Sequence, residues 1–117
     1  FGGNPVACRL GFEVMEALEQ DGLLRRVGAV GAWLAPRLEA LQRRVPAIVA
    51  VRGRGLIWGI ELDRNAAPVA RSLLSRGFVV GTARDRVIRL LPPFVVPKAA
   101  LAAFILELET VLREADA

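Results

Sequence analysis

An arginine inside an apolar run is the clearest candidate for chemistry in this sequence. Arg89 stands in the middle of residues 87–91, which otherwise carry only Val, Ile and Leu, and a proline pair follows. A guanidinium in such a strand needs a partner, and its planar fork can bind a carboxylate through two hydrogen bonds. Alternation alone favours an edge-strand arginine paired with Asp63 or Glu61 at the surface. Together with the proline pair and the other motifs, we favour binding of a ligand carboxylate.

A second candidate is the Gly-Gly-Asn-Pro segment at residues 2–5. The two glycines allow close approach to the backbone, and the positive end of a helix that starts at Asn4 attracts an anion. The same residues are also a common turn into a helix, with Asn4 as the N-cap and Pro5 at the first helical position. On this segment alone, the turn is the favoured interpretation.

The residue types that are missing exclude several kinds of site. The chain has no histidine and one cysteine, so it cannot assemble the usual zinc ligand sets, a Ser/His/Asp or Cys/His nucleophile, or an intrachain disulfide. Cys8 lies at helical spacing near Phe12 and Met15 and is predicted to be buried and inert. Lys98 is the single lysine, and we predict a solvated side chain at the start of a helix.

The excess of basic over acidic residues does not by itself indicate nucleic-acid binding. The formal net charge is +4 and the pI is near 10.9, but the arginines are dispersed, and two Trp with no Tyr offer little base stacking. Arg52 and Arg54 are separated by a glycine and are predicted to lie on the rim of a β-bulge, with no catalytic role. Trp33 and Trp58 are predicted to pack in the core or against another domain.

The apolar content and the mean hydropathy of the chain constrain where the protein is located and what it binds. Apolar residues make up 54% of the chain and the mean hydropathy is +0.42, so part of the apolar surface is expected to face a partner. No uninterrupted apolar run approaches the ~18 residues that span a bilayer, and no secretion signal is recognised. We expect a cytoplasmic protein that binds neither membrane nor nucleic acid.

Helical periodicity predicts four helices. They begin near Asn4, Leu23, Asn65 and Pro97, and the first three end near Gly22, Val45 and Gly77. Pro36 lies inside the second helix and predicts a kink or a break near Trp33, because proline lacks an N–H and crowds the preceding turn. In the last helix the acidic residues Glu107, Glu109 and Glu114 are expected to face solvent. Its apolar stripe comprises Leu101, Phe104, Ile105, Leu108, Val111 and Leu112.

The remaining segments predict a small sheet. Residues 48–51 and 56–62 are predicted to form a strand bent by a bulge at 52–55. Residues 78–80 and 87–91 are predicted to form two strands around a turn at Ala83-Arg84-Asp85. This order indicates an α+β fold, in which a small antiparallel sheet of three to four strands carries helices packed on one face. The other face is free to dock elsewhere.

Three motifs, in this order, resemble the C-terminal part of class III aminotransferases, enzymes that use pyridoxal 5′-phosphate (PLP). They are residues 2–5, the bent strand Arg-Gly-Arg-Gly-Leu at 52–56 and the strand Arg-Leu-Leu-Pro-Pro at 89–93. The resemblance spans nearly the whole chain. With Phe1 preceding the first motif, the chain is most similar to the acetylornithine subgroup, while the ornithine and 4-aminobutyrate subgroups share enough to stay open.

The resemblance implies the small C-terminal domain of a fold-type I PLP enzyme. Residues 1–45 would be a helical region continuing from a large domain, and residues 46–117 would be the small domain. Phe1 and Gly2 would lie beside the PLP phosphate of the neighbouring subunit, and Arg89 would hold the α-carboxylate of the substrate or pair with an upstream Glu. The Schiff-base lysine and the Asp that pairs with the pyridine nitrogen would lie upstream, so we expect this chain alone to be inactive, with no catalytic or metal-binding residue.

The leading hypothesis is amino-group transfer between N-acetylornithine and 2-oxoglutarate, in arginine biosynthesis, by a homodimeric PLP enzyme. Its partners would be amino-acid and 2-oxo-acid substrates. The alternatives are an ornithine or 4-aminobutyrate aminotransferase, and a non-catalytic interaction module that dimerises through its apolar surplus. A basic nucleic-acid-binding domain is the third hypothesis, which the dispersed arginines disfavour.

Overall fold

The structure, a computed structural model, describes residues 22–93 and 95–116. The first predicted helix and the candidate residues Phe1 and Gly2 lie outside this part of the chain. We label the elements in chain order. They are α1 (Leu23–Arg44), β1 (Ile48–Arg54), β2 (Ile57–Leu62), α2 (Ala66–Ser75), β3 (Gly81–Ala83), β4 (Val87–Leu90) and α3 (Lys98–Ala115).

The strands form one antiparallel sheet in the order β1-β2-β4-β3, so β2 and β4 are the inner strands. Alternate residues of an antiparallel strand face opposite sides of the sheet, and one side of each inner strand is buried. All three helices pack on that side and share one hydrophobic core with it. The predicted α+β fold is therefore confirmed. The buried residues of the inner strands are Trp58, Ile60, Leu62, Ile88 and Leu90.

Helical spacing determines which residues enter this core. Leu34, Leu38 and Leu41 of α1 recur every three or four residues and are fully buried. The apolar stripe predicted for the last helix is confirmed in α3, where all six of its residues are buried. Full burial of a Leu-sized side chain contributes about 1.5–3 kcal/mol, so these two helices hold the sheet from one side.

The second predicted helix runs through Pro36 as α1, so a break near Trp33 is wrong, while a kink there stays a prediction. Nη1 of Arg37 donates a hydrogen bond to the Trp33 carbonyl oxygen at 2.8 Å, and its guanidinium lies 4.1 Å from the Trp33 ring centroid. The Arg37 side chain thus satisfies a carbonyl in the turn that proline crowds. Pro36 is exposed, while the buried Leu34 and Leu38 hold the helix on the sheet from either side of it.

The segment rich in Arg and Gly forms a hairpin, which corrects the prediction of one bent strand. Arg54 at the end of β1 pairs with Ile57 at the start of β2, and a two-residue turn joins them. Gly55 opens this turn with a φ of +59°, a left-handed conformation that glycine adopts without strain. An irregularity of register is present, but it lies at the other end of β1.

The second hairpin is shifted from its predicted position. Residues 78–80 are extended without strand pairing, and β3 begins just after them. The turn into β4 contains Arg84 and Asp85, both with positive φ. The backbone N–H of Ala66 donates to the Asp85 carbonyl oxygen at 2.6 Å, which ties the turn to the first residue of α2. A tertiary contact therefore fixes this hairpin, and local strand propensity does not.

Candidate functional site

The side of the sheet that faces away from the helices carries the candidate site, and we call it the open face. Pairing and alternation place Arg52 and Arg54 of β1 and Arg89 of β4 on this side, and both Arg52 and Arg89 are directly opposite Gly59 of β2. The residues on this side are exposed or half-buried. They are Ala50, Arg52 and Arg54 of β1, Ile57, Gly59 and Glu61 of β2, Val87 and Arg89 of β4, and Gly81 and Ala83 of β3.

Arg89 lies between two glycines on the open face. Gly59 is its direct partner on β2, and Gly81 is its direct partner on β3. A Cβ atom added at Gly81 would lie 3.6 Å from the Arg89 Cβ, and one added at Gly59 would lie 3.3 Å from Cγ1 of Val87. Because both glycines lack side chains, neither strand partner covers the Arg89 guanidinium, and the Gly81 side is open, while Cγ1 of Val87 lies beside the space above Gly59.

The Arg89 guanidinium forms no hydrogen bond or ion pair with another of the described residues. The surface ion pair considered from the sequence is absent for two reasons. Oε1 of Glu61 accepts a hydrogen bond from Nη1 of Arg52 at 3.0 Å, and Asp63 is bonded to Arg64 at 2.6 Å. Arg89 also lies on an inner strand and not on an edge strand. The group is therefore free to bind an anion.

The open face carries three arginines and one glutamate, so its local charge is positive among the described residues. Arg52 and Arg54 were predicted to lie on the rim of a bulge. They lie within the paired part of β1 and point to the open face. Clustered charge of one sign on a surface raises the local concentration of ligands of the opposite sign. An anionic ligand would be attracted to the neighbourhood of Arg89.

An apolar groove of about 770 Å³ borders this face at the tip of the β1-β2 hairpin. Ile57 and Leu91 contribute most of its exposed apolar surface, with 68% and 54% of their areas accessible. α1 reaches the same tip, because a Cβ atom at Gly31 would lie 2.7 Å from the Gly55 Cα. The tip is therefore fixed against α1 by a contact that only glycine permits.

Charged groups at the edges of the helix layer are paired with one another. Arg76, the residue that follows α2, binds both Glu107 and Glu114 of α3 at 2.8 and 2.7 Å, and the hydrogen bonds that it donates to Glu107 and then to Glu114 raise its pKa. Hydrogen bonds from Arg113 and then Arg44 lower the pKa of Glu109. The acidic residues of α3 were predicted to face solvent: Glu114 is exposed and Glu107 and Glu109 are half-buried, and their surface ion pairs connect this helix to α1 and to the end of α2.

The same pattern occurs at the end of β2. A hydrogen bond from Arg64 lowers the pKa of Asp63, and the hydrogen bonds that Arg64 donates to Asp63 and then to Asp116 raise the pKa of Arg64. Arg64 thereby links the strand to the C-terminal end of α3. These groups are occupied in holding elements together, which distinguishes them from Arg89.

Lys98 and the two tryptophans have the structural positions predicted for them. Lys98 is exposed, and its ammonium lies 5.9 Å from the ring centroid of Trp33 on α1, in the helix layer. Trp58 is 8% exposed in the core, and its Nε1 donates to the Gly55 carbonyl oxygen at 2.7 Å. Lys98 and Arg89 therefore lie on opposite sides of the sheet.

The described part of the chain contains neither a metal-ligand cluster nor a membrane-spanning helix. No group of three or more His, Cys, Asp or Glu side chains there could hold a metal ion. No helix within residues 22–93 and 95–116 combines the length and apolar character needed to cross a membrane.

Sequence reasoning identified Arg89 but missed Gly59, Gly81 and the bond between Arg52 and Glu61. Both glycines were visible in the sequence, but their significance comes from being opposite Arg89. Recognising the Gly55 turn as a two-residue hairpin would have placed Arg52 opposite Gly59, beside Glu61, because the turn length sets the register.

Comparison with known proteins identifies the family to which the sequence belongs. The sequence model described as aminotransferase class-III matches residues 1–112. Acetylornithine aminotransferase 1 from Bordetella bronchiseptica is 46% identical over 96 residues, which are 82% of this chain and 24% of that protein. The chain thus spans about a quarter of the length of this curated relative.

Solved structures show the same architecture. Acetylornithine aminotransferase from Elizabethkingia anophelis superposes with a TM-score of 0.81 at 25% identity, over 97% of this chain and 30% of that one. Ornithine aminotransferase from Toxoplasma gondii, crystallised with PLP at partial occupancy in its active site, superposes with a TM-score of 0.80 at 28% identity. That match covers 99% of this chain and 28% of the T. gondii chain.

Proposed function

Because this chain belongs to the class III aminotransferases, we propose that it is the C-terminal small domain of an enzyme that transfers an amino group between N-acetylornithine and 2-oxoglutarate. The family implies PLP as the cofactor. The choice of donor is supported by the 46% identity to an acetylornithine aminotransferase. The reaction would serve arginine biosynthesis in the cytoplasm, and the enzyme would be a homodimer.

The observation that carries this proposal is the free guanidinium of Arg89 on the open face. 2-Oxoglutarate carries an α-carboxylate next to the carbonyl carbon that accepts the amino group, and an arginine fork binds a carboxylate through two parallel charge-assisted hydrogen bonds. Each such bond contributes about 1.5–3 kcal/mol. Arg89 would anchor the α-carboxylate and orient the substrate, and the bare surface at Gly59 and Gly81 would leave space for it.

The described residues fit the substrate side of such a site better than the cofactor side. When bound, PLP supplies the electron sink that amino-group transfer needs. Lys98 is on the opposite side of the sheet from Arg89, so we assign it no role in catalysis. We propose that Phe1 and Gly2 lie beside the cofactor phosphate, and that the reactive lysine lies in the large domain. The chain alone would then be inactive.

The division of the chain follows from the same proposal. Residues 1–45 would continue from the large domain as a helical region, and residues 46–117 would form the small domain. α1 packs on the sheet through Leu34, Leu38 and Leu41, so the helical region would also hold the small domain in place.

An ornithine aminotransferase is the second candidate. It is favoured by the T. gondii enzyme, which this chain matches over 99% of its length. Arg89 would bind the α-carboxylate of 2-oxoglutarate in either enzyme, so the two functions differ in how the distal end of the donor is recognised. Comparing N-acetylornithine, ornithine and 4-aminobutyrate as donors for the complete enzyme decides between them.

The proposal is tested by Arg89→Gln in the complete polypeptide that contains this chain. Loss of both hydrogen bonds, about 3–6 kcal/mol in total, should raise KM for 2-oxoglutarate by more than about 100-fold, while KM for the donor, which reacts at its δ-amino group, should change less. Arg89→Lys keeps the charge without the fork and should recover part of this loss. Arg43→Gln, an exposed arginine of α1, removes the same charge elsewhere and should leave both KM values unchanged.

An unchanged KM in Arg89→Gln, with the protein folded, would reject anchoring by this residue. A complete polypeptide that transfers no amino group from any of the three donors would favour a non-catalytic module, for which the apolar groove at Ile57 and Leu91 would be the contact surface.

A further inference from the structure

Glu61 lies between two arginines that occupy equivalent places on the strands beside it. Arg52 of β1 and Arg89 of β4 are each directly opposite Gly59, two residues before Glu61. Each arginine is therefore a diagonal neighbour of Glu61 on the open face, at about 7–8 Å between Cα atoms, a distance that long side chains span. Gly59 has no side chain to separate Glu61 from either guanidinium.

Only one of these two pairs is formed. Oε1 of Glu61 accepts a hydrogen bond from Nη1 of Arg52 at 3.0 Å, whereas Arg89 has no such bond with any described residue. The side chains of Arg52 and Glu61 are 72% and 35% exposed. Ion pairs with this exposure are weak, so Glu61 would be able to change partner if the Arg52 guanidinium were removed.

We propose that Arg52 is a positioning residue, which holds Glu61 away from Arg89 and thereby keeps the Arg89 guanidinium free for the substrate carboxylate. This inference rests on the function proposed above for Arg89. A protein carboxylate and a substrate carboxylate compete for the same fork. While Glu61 is bonded to Arg52, it does not enter that competition. Arg52 acts through Glu61 and needs no contact with the substrate.

The expected effect follows from the fraction of Arg89 that remains free. Without Arg52, Glu61 has Arg89 as its other diagonal partner, and a weak exposed pair would then occupy Arg89 for most of the time. The apparent affinity for substrate falls in proportion to the free fraction, so KM should rise about three- to sixfold. The chemical step is untouched, and kcat should stay within about twofold.

The experiment measures KM for 2-oxoglutarate and kcat of the complete enzyme for a set of variants. Arg52→Gln should raise KM about three- to sixfold, and Glu61→Gln should leave KM unchanged or lower it, since the competing carboxylate is gone. The double variant Arg52→Gln/Glu61→Gln should return KM to within about twofold of the wild type. Arg52→Lys should keep the wild-type KM, because one ammonium can hold the carboxylate.

Arg54→Gln is the matched control for the loss of charge. Arg54 is on the same strand and face as Arg52, but it is opposite Ile57 and not opposite Gly59. Its removal should change KM by less than about twofold, because Glu61 keeps its bond to Arg52. A KM rise in Arg54→Gln equal to that in Arg52→Gln would reduce the effect to net charge and overturn the inference.

A structural role for the ion pair predicts a different pattern. Either single variant breaks the bond, so KM and melting temperature would then shift in the same direction in Arg52→Gln and Glu61→Gln. That result, or a KM that stays raised in the double variant, would reject the positioning role. An unchanged KM in Arg52→Gln, alongside a raised KM in Arg89→Gln, would reject this inference and leave the anchoring role standing.

Discussion

The two sides of the β-sheet show how one small fold separates its stabilising core from the surface that carries Arg89, the proposed carboxylate-binding residue. The helix-covered side buries an apolar core, and its peripheral charges are paired across elements, as in Arg76 with Glu107 and Glu114. The open face has glycines where the other side has large apolar residues, and its central cation, Arg89, has no partner among the described residues. The same strands contribute to both sides, because alternate residues point in opposite directions.

This difference shows that one strand can meet two independent requirements, with core packing on one side and an exposed functional group on the other. Ile88 and Leu90 flank Arg89 along β4, and both are buried on the helix-covered side. They fix the strand, so Arg89 can stay exposed without a partner of its own. If this interpretation is correct, substitutions on the two sides should affect different measurements.

The largest expected effect is on the helix-covered side. Leu38→Ala removes a fully buried side chain and should lower the free energy of unfolding by about 2–5 kcal/mol, because it leaves a cavity in the core. Ile57→Ala on the open face, where 68% of the residue is exposed, should cost less than about 0.5 kcal/mol. Urea denaturation of the polypeptide followed by circular dichroism measures both. Equal losses would mean that the open face is covered as completely as the core.

A smaller effect is expected where α1 meets the hairpin that carries Arg52. A methyl group at Gly31 would overlap the backbone of Gly55, so Gly31→Ala should cost about 1–3 kcal/mol of unfolding free energy. Gly28→Ala, three residues earlier in the same helix, meets nothing within 4 Å and should stabilise the protein by about 0.5–1 kcal/mol. The two variants should therefore differ in sign in thermal denaturation, and a gain in both would contradict the close contact.

The smallest effect sharpens the comparison on the open face. Gly81→Val places a side chain beside Arg89 and should raise KM for 2-oxoglutarate in the complete enzyme about three- to tenfold, while unfolding free energy changes by less than about 0.5 kcal/mol. Ala83→Val is the control, since Ala83 lies on the same strand and face but opposite Val87. A KM rise of equal size in both variants would mean that crowding near Arg89 is not the cause.

The sequence by itself determined the three helices of the described residues and the fold class. The stripe from Leu101 to Leu112 and the recurrence of Leu34, Leu38 and Leu41 were read correctly, because residues three and four apart share one face of any helix. The position of Arg89 in a strand followed from its apolar neighbours. A break at Pro36 was wrong, because the buried Leu34 and Leu38 hold the helix on the sheet on either side of the proline.

Only the tertiary structure decided how the strands pair. The hairpin at Gly55, the later start of β3 and the register that places Gly59 and Gly81 on either side of Arg89 all depend on partners distant in the chain. Strand pairing has no local period that specifies its partner, and a shift of one residue would turn every side chain to the opposite face. The sequence therefore identified which residue could bind a carboxylate, and the sheet register left that residue free to do so.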